Sequence, residues 1–407
     1  MKGHRYVAFV AGVGIAIAAC APGARAVIVL GSGDPNFNDV ALNPPAGALA
    51  NSGSQFEGLF NSFLGTVIAP NFFITANHIG GGVGSVFTFR GADYTTTATY
   101  GDPGGSDLRI WQVAGTFPEF APLYLGAGTE VGKLLVAFGR GTRRGPAITG
   151  GGSPAGYAWG PLDFTERWGI NVVTDIYNDP GYGPLLHATF DAGAAGLGDF
   201  ECHLSDHDSG GGLFIQEAGV WKLAAIHFTV DGPFYDAPTG GSSFNAALFD
   251  MRGFYFDDGS GGRMLITGSS PLPSGFYSTQ ISSRLSWILS VISPQDDSDG
   301  DGLANLAEYA FGSDPLSPGS AADPVVAIVQ TGADNFLAIT YSRPKSTADL
   351  NYLVEVSADL QNWNSGVSFT TVVSDLDQGT TRSVTVRDNR SQAENNQRFI
   401  RVRVTRP

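Results

Sequence analysis

From about residue 60 to residue 290, short apolar segments alternate with clusters of Gly, Pro and Asp, and this punctuation constrains the fold more than any other feature of the chain. Segments 63–69, 72–76, 83–90, 108–113, 133–138, 212–216 and 220–228 have strand length and end at turn residues. Such spacing predicts an all-β barrel or sandwich. The 56 glycines among 407 residues agree with it, since the usual share is only roughly 7%. The run 139–160 is rich enough in glycine to read as loops. One helix is predicted over 279–292, where Ile281, Leu285, Ile288, Leu289 and Ile292 recur at helical spacing and Ser293-Pro294 stops it.

The length suggests two or three domains. Residues 1–26 read as a targeting segment: Lys2 and Arg5 precede the apolar run 6–21, and Ala24-Arg25-Ala26 is a small-x-small cleavage site. The expected product is a secreted protein, extracellular or periplasmic. Ile17-Ala18-Ala19-Cys20 also has the shape of a lipid-attachment site, so anchoring through Cys20 is the alternative. No later stretch has the length and apolarity of a membrane span. Residues 27–292 form the first expected domain, 293–319 an acidic hinge, and 320–407 a second run of strands that fits a small β-sandwich.

Charge and cysteine content narrow the function classes. With 23 basic against 38 acidic residues the net charge is −15, which excludes nucleic acid and anionic membrane surfaces as natural partners. Removing 1–26 takes away three bases and no acid, and it also takes Cys20. Cys202 then stands alone, so no internal disulfide is available and packing must hold the loops.

Three motifs carry chemistry, and their order matters more than any one of them. Thr75-Ala76-Asn77-His78 ends an apolar run, Ser106-Asp107-Leu108 opens one, and His207-Asp208-Ser209-Gly210-Gly211 lies in a glycine cluster. Acyl transfer needs a nucleophile, a base within reach and a buried acid that fixes the base's tautomer. On these residues the chain resembles the chymotrypsin-fold, trypsin-like serine proteases over roughly residues 55–292. The resemblance implies a double β-barrel with a closing C-terminal helix and a secreted serine endopeptidase acting on protein or peptide substrates. It makes His78 the general base, Asp107 the orienting acid and Ser209 the nucleophile, with the backbone N–H groups of His207 and Ser209 as the oxyanion hole. The family has glycine where His207 stands, and a disulfide often braces its nucleophile loop. The alternative function is an inert, protease-like binding protein of the cell surface.

The same resemblance touches specificity and activation. The pocket base, six residues before the nucleophile, is His203, so a preference for Lys or Arg is not implied. The pocket wall carries His227 in Ala225-Ile226-His227-Phe228, similar to the pocket histidine of glutamate-cutting relatives; acidic and apolar preferences both stay open. Asp208 matches the acid that pairs with a new N-terminal ammonium in the family, and cleavage after Ala26 would expose Val27-Ile28-Val29. His203 and His207 flank Cys202 and Asp206 but match no common zinc spacing.

The hinge contains a second chemistry. Asp297, Asp299, Asp301, Gly302, Leu303, Asn305 and Glu308 fit the template D-x-D-x-D-G-x-x-x-x-x-E. Calcium wants six to eight oxygens, which alternate side chains of a tight loop, the Leu303 carbonyl and a bidentate Glu308 would supply. The run resembles the loops of EF-hands, dockerins and thrombospondin type 3 repeats. It implies a structural Ca2+, with no cofactor for catalysis.

Overall fold

The computed structural model describes residues 27–320, 322–394 and 397–407; the targeting segment and Cys20 lie outside them. The chain divides into two compact units, the first ending at Ser283 and the second running Arg284–Pro407.

The first unit is all-β and contains two barrels. Glu57–Phe60, Phe63–Ala69, Phe72–Ala76, Leu108–Val113, Ala92–Gly101 and Val86–Phe89 close a six-stranded antiparallel barrel in that order. Its centre is aromatic, with Phe60, Phe73, Phe87, Phe89 and Trp111 at most 1% exposed. The Phe73 and Phe87 rings stack at 3.9 Å. Burying each such side chain stabilises the fold by roughly 1.5–3 kcal/mol.

The second sheet runs Arg167–Val172, Leu134–Gly139, Gly212–Glu217, Val220–Val230, Gly275–Gln280, Gly183–Thr189, Asp175–Asp179. Its first six strands are drawn into a barrel by bonds across the gap: Asn171 Nδ2 donates to the Thr189 carbonyl, and the Thr174 N–H to the His187 carbonyl, each at 2.8 Å. Leu135, Ala137, Leu186, Leu213, Ile215 and Phe276 fill it, joined by Val27 and Val29. Residues Ile28 and Val29 pair with His203 and Cys202, so the first described residues are part of the scaffold under the nucleophile loop.

The run 139–160 is not loop. It forms two long antiparallel strands, Thr142–Gly150 and Ser153–Leu162, paired through three register shifts and flanked by Ala246–Leu248. Gly151 and Gly152, at φ +57° and +89° with open space around them, make the turn between the strands, whereas the glycines within the strands stand where neighbouring backbone is too close for a side chain. A β-carbon on Gly145 would sit 2.7 Å from the Ala158 carbonyl oxygen, and one on Gly156 2.2 Å from that of Ala247. Composition therefore reported close packing, which imitates a loop signal.

The predicted helix begins later than its apolar spacing suggests. Gly275–Gln280 is a strand between Gly183–Thr189 and Val220–Val230, Ser282–Arg284 is a 3-10 turn, and only Leu285–Ile292 is α-helical. Strand pairing on both sides overrides the local period. This helix falls in the C-terminal unit, where the Arg406 guanidinium donates to the Ser290 carbonyl at 2.7 Å.

In that unit a short helix, Asn305–Phe311, follows the acidic loop. Its Tyr309 hydroxyl donates to Asp349, and the Tyr352 hydroxyl donates to the Ala310 carbonyl. The segment read as a hinge is thus packed on the strands that follow it. Those strands form a four-stranded sheet (Val325–Thr331, Asp334–Pro344, Thr381–Ser391, Thr370–Asp377) and a three-stranded one (Asn364–Ser365, Asn351–Ser357, Phe399–Thr405). Among the described residues no helix is long and apolar enough to cross a membrane.

Candidate active site

Strand register brings the base to the acid. Phe72–Ala76 pairs antiparallel with Leu108–Val113, Ala76 opposite Leu108, so the residue after one strand meets the residue before the other. The Asn77 N–H donates to the Asp107 carbonyl at 2.8 Å. His78 follows on a single 3-10 turn. Asp107 is 2% exposed; its Oδ1 accepts the His78 backbone N–H at 2.9 Å, and its Oδ2 lies 2.6 Å from His78 Nδ1. An ionised carboxylate only accepts, so Nδ1 carries the proton and Nε2 has a free lone pair. Ser209 Oγ lies 2.8 Å from that Nε2, across 131 residues of sequence.

Ser209 reaches this point because glycine follows it. Gly210 has φ +83° and its β-carbon would lie 2.4 Å from Thr75 Oγ1 and 2.6 Å from the Leu64 carbonyl oxygen. The nucleophile loop thus abuts the first barrel. Glu57 of that barrel also accepts the Gly212 N–H at 3.2 Å and the Thr66 hydroxyl at 2.9 Å, and burial pushes its carboxyl well above the usual range.

Asp208 anchors the loop from beneath. It is 1% exposed and accepts the Gly141 N–H at 2.7 Å, the Ser205 N–H at 2.7 Å and the Ser205 hydroxyl at 2.9 Å. The Val27 backbone N–H donates to it as well. Burial raises its carboxyl to about 6 against these bonds. Val27, Ile28 and Val29 are at most 2% exposed.

His207 adopts φ +69°, a conformation that costs a residue with a β-carbon about 1–2 kcal/mol. It therefore keeps the backbone a glycine would take. Its ring stacks on Phe63, and its Nδ1 lies 3.2 Å from Asp206 Oδ1. The paired Asp206 raises its basicity. The Ser209 N–H has no acceptor among the described residues.

A cleft of about 170 Å³ opens beside Ser209, walled by Trp159, Leu204, Asp206, His227, Phe228 and Val230. His227 is 1% exposed, its Nδ1 lies 2.9 Å from Ser278 Oγ, and burial lowers its pKa to about 3, so it is neutral. His203 does not line the cleft. It is buried among Leu204, Ser274 and Gly275, with Nδ1 2.6 Å from the Leu204 carbonyl and Nε2 3.2 Å from that of Gly275. The pairing of its strand with Ile28 and Val29 turns it into the core. Trp159 was missed because it lies in the run read as loop; a lone aromatic among glycines was its only signal. Cys202 is fully buried and burial pushes its thiol up, which leaves it inert.

In the second unit, carboxylate oxygens of Asp297, Asp299 and Asp301 lie within 4.8 Å of one another. Glu308 is fully buried with neither oxygen hydrogen-bonded, and Asp299 Oδ2 and Asp301 Oδ2 are likewise buried without partners. Burial, then the three aspartates, push the Glu308 carboxyl up to about 7. Orphaned, mutually repelling oxygens of this kind fit a hard cation. Asn305 instead ties the loop's ends together, its Nδ2 donating to the Ser293 carbonyl at 2.9 Å and its Oδ1 accepting the Ser298 N–H at 3.3 Å. The Leu303 N–H donates to Asp301 at 2.9 Å.

No family model and no curated protein matches this chain. Solved structures similar to it include neuropsin, a serine protease expressed in the limbic system of mouse brain, at 12% identity and TM-score 0.36, covering 61% of this chain and 98% of that one. Another is the Rv3671c protease in its inactive form, at 12% identity and TM-score 0.35, covering 63% and 97%.

Proposed function

We propose that the protein is an exported serine endopeptidase. The observation that supports this is the unbroken relay Asp107–His78–Ser209, at 2.6 and 2.8 Å, on the wall between two β-barrels. His78 Nε2 takes the Ser209 proton as Oγ adds to a peptide carbonyl carbon. The carbonyl electron pair moves onto oxygen, which meets the N–H groups of His207 and Ser209. One such donor is worth roughly 100- to 1,000-fold in rate. His78 then gives its proton to the leaving amine, and water repeats the sequence on the acyl-enzyme. Asp107 keeps the imidazole in the working tautomer throughout.

The cleft beside Ser209, with Phe228, Val230, Trp159 and a neutral His227, favours apolar or hydrogen-bond-accepting side chains over Lys and Arg. Export is supported by the basic and apolar segment ahead of Val27. In the C-terminal unit we assign Asp297, Asp299, Asp301 and Glu308 as holders of a structural calcium ion.

The test is labelling of the full chain with a fluorophosphonate, beside a protein digest read by mass spectrometry. Wild type should label stoichiometrically at Ser209, and Ser209→Ala should lose roughly 10⁶-fold in turnover while keeping its fold. Undiminished hydrolysis by Ser209→Ala, or no labelling of folded wild type, overturns the reading; the second outcome leaves the inert binding protein.

A further inference from the structure

We propose that the His207 side chain is a positioning residue for catalysis: clamped by aromatic rings from both barrels, it holds its own backbone N–H beside that of Ser209. This rests on the serine endopeptidase reading and goes beyond it, because it gives a side chain a role that the triad does not contain.

The backbone poses the problem. A residue at φ +69° with a β-carbon relaxes to other conformations unless its surroundings hold it. The Asp208 N–H donates to the Ser205 carbonyl at 3.2 Å and closes a turn whose central residues are Asp206 and His207, and the Gly211 N–H donates to the Asp208 carbonyl at 3.2 Å and closes the next. The first bond sets the positive φ at residue 207. The ring braces that turn from outside. The imidazole lies flat on Phe63, with centroids 4.9 Å apart and planes 3° from parallel. Phe164 meets it edge-on at 5.8 Å and 77°.

These two rings arrive from different places. Phe63 opens the second strand of the first barrel. Phe164 sits on the connection leading into Arg167–Val172 of the second barrel, itself at φ +58°. The Arg140 guanidinium lies over Phe164 at 5.9 Å, and Arg140 Nη1 donates to the Ser62 carbonyl at 3.5 Å, which closes the cluster around the turn before Phe63. Two non-glycine residues in the left-handed region therefore pack against each other beside the nucleophile. Strain of this kind persists only where tertiary contacts hold it. A glycine at 207 would adopt the same φ without strain inside the same turn, but it would lose the ring contacts that brace the turn against Phe63 and Phe164.

The role predicts a split between binding and turnover, since the hole acts on the transition state and not on the bound substrate. Phe63→Ala, His207→Gly and His207→Phe are compared with wild type in the full chain, by kcat and KM on a peptide substrate, labelling rate and melting temperature. Phe63→Ala and His207→Gly should each lower kcat about 10- to 100-fold with KM within about 2-fold. His207→Phe, which restores a flat ring, should regain most of what glycine loses. His207→Gly, on a surface loop, supplies the result should Phe63→Ala unfold. Unchanged kcat in the folded variants overturns the proposal, as does a rise confined to KM. His207→Phe no better than glycine also overturns it, since the imidazole's charge and not its clamped plane would then be at work. Wild type that neither labels nor turns over removes the endopeptidase reading itself, a result separate from any of these.

Discussion

Asp107 grips His78 twice, Oδ2 on the ring nitrogen at 2.6 Å and Oδ1 on the backbone N–H at 2.9 Å. The double hold fixes both the place and the tautomer of the imidazole. Asp107→Asn would offer an amide N–H where Nδ1 now donates, and the ring would move its proton to Nε2. Ser209 would then face a donor. The expected loss is roughly 10,000-fold in kcat, with KM little changed; steady-state kinetics on a peptide substrate checks it, and a loss under tenfold would break the relay assignment.

With the Val27 N–H on buried Asp208, processing after Ala26 is expected to raise turnover. In the processed chain that donor is an ammonium, and a charge-assisted bond replaces a neutral one. A form retaining Ala26 should turn over about 10- to 100-fold more slowly than one starting at Val27. N-terminal sequencing of the secreted protein, beside kinetics of the two defined forms, decides it. Equal activity of the two would end the idea.

Calcium should stabilise the C-terminal unit. Binding only to the folded form adds about 2.7 kcal/mol at a hundredfold excess over Kd. Titration calorimetry should find one site, and chelation should lower the unit's melting temperature and speed proteolysis around 297–308. Peptide hydrolysis should change little. Glu308→Gln should abolish uptake, because it removes the buried, unpartnered carboxylate that the three aspartates repel; full uptake by that variant would rule out the assignment.

Glu166 makes the first unit less stable as pH rises from about 4.5 toward 7. Burial lifts its carboxyl from 4.5 to about 7, and its Oε1 has no hydrogen-bond partner. The folded state thus binds this proton more tightly than the unfolded state. The resulting stability is complete below about pH 4.5 and is lost as pH climbs toward 7. Glu166→Gln should match wild type near pH 4.5 and exceed it by on the order of 2 kcal/mol at pH 8. Urea unfolding at both values measures the difference, and parallel stability curves would refute it.

Where the chain advertised itself, one local cause was at work. Strands 63–69, 72–76 and 108–113 were legible because they are apolar and end at turn residues, and their bounds in the structure are the same. His78, Asp107 and Ser209 were legible because each lies at such an end, although only the Ala76–Leu108 register makes the first two neighbours. The strands at Thr142–Gly150 and Ser153–Leu162 were hidden because their glycines answer a distant backbone, not a local turn. His203 and His227 look alike in sequence but lie in different sheets: His203 pairs with Ile28 in a two-stranded ribbon, while His227 lies opposite Ser278 in the large sheet and walls the cleft. The clamp on His207 was invisible for the same reason: Phe63 and Phe164 come from segments 101 residues apart.

Cys202 is the one cysteine among the described residues, buried and unbridged. The first unit is held instead by Asp208, Glu57 and two packed barrels, none of which answers to a redox potential. The melting temperature of this unit should therefore be the same with and without a thiol reductant, and its folded yield from a reducing cytosol should equal that from an oxidising compartment.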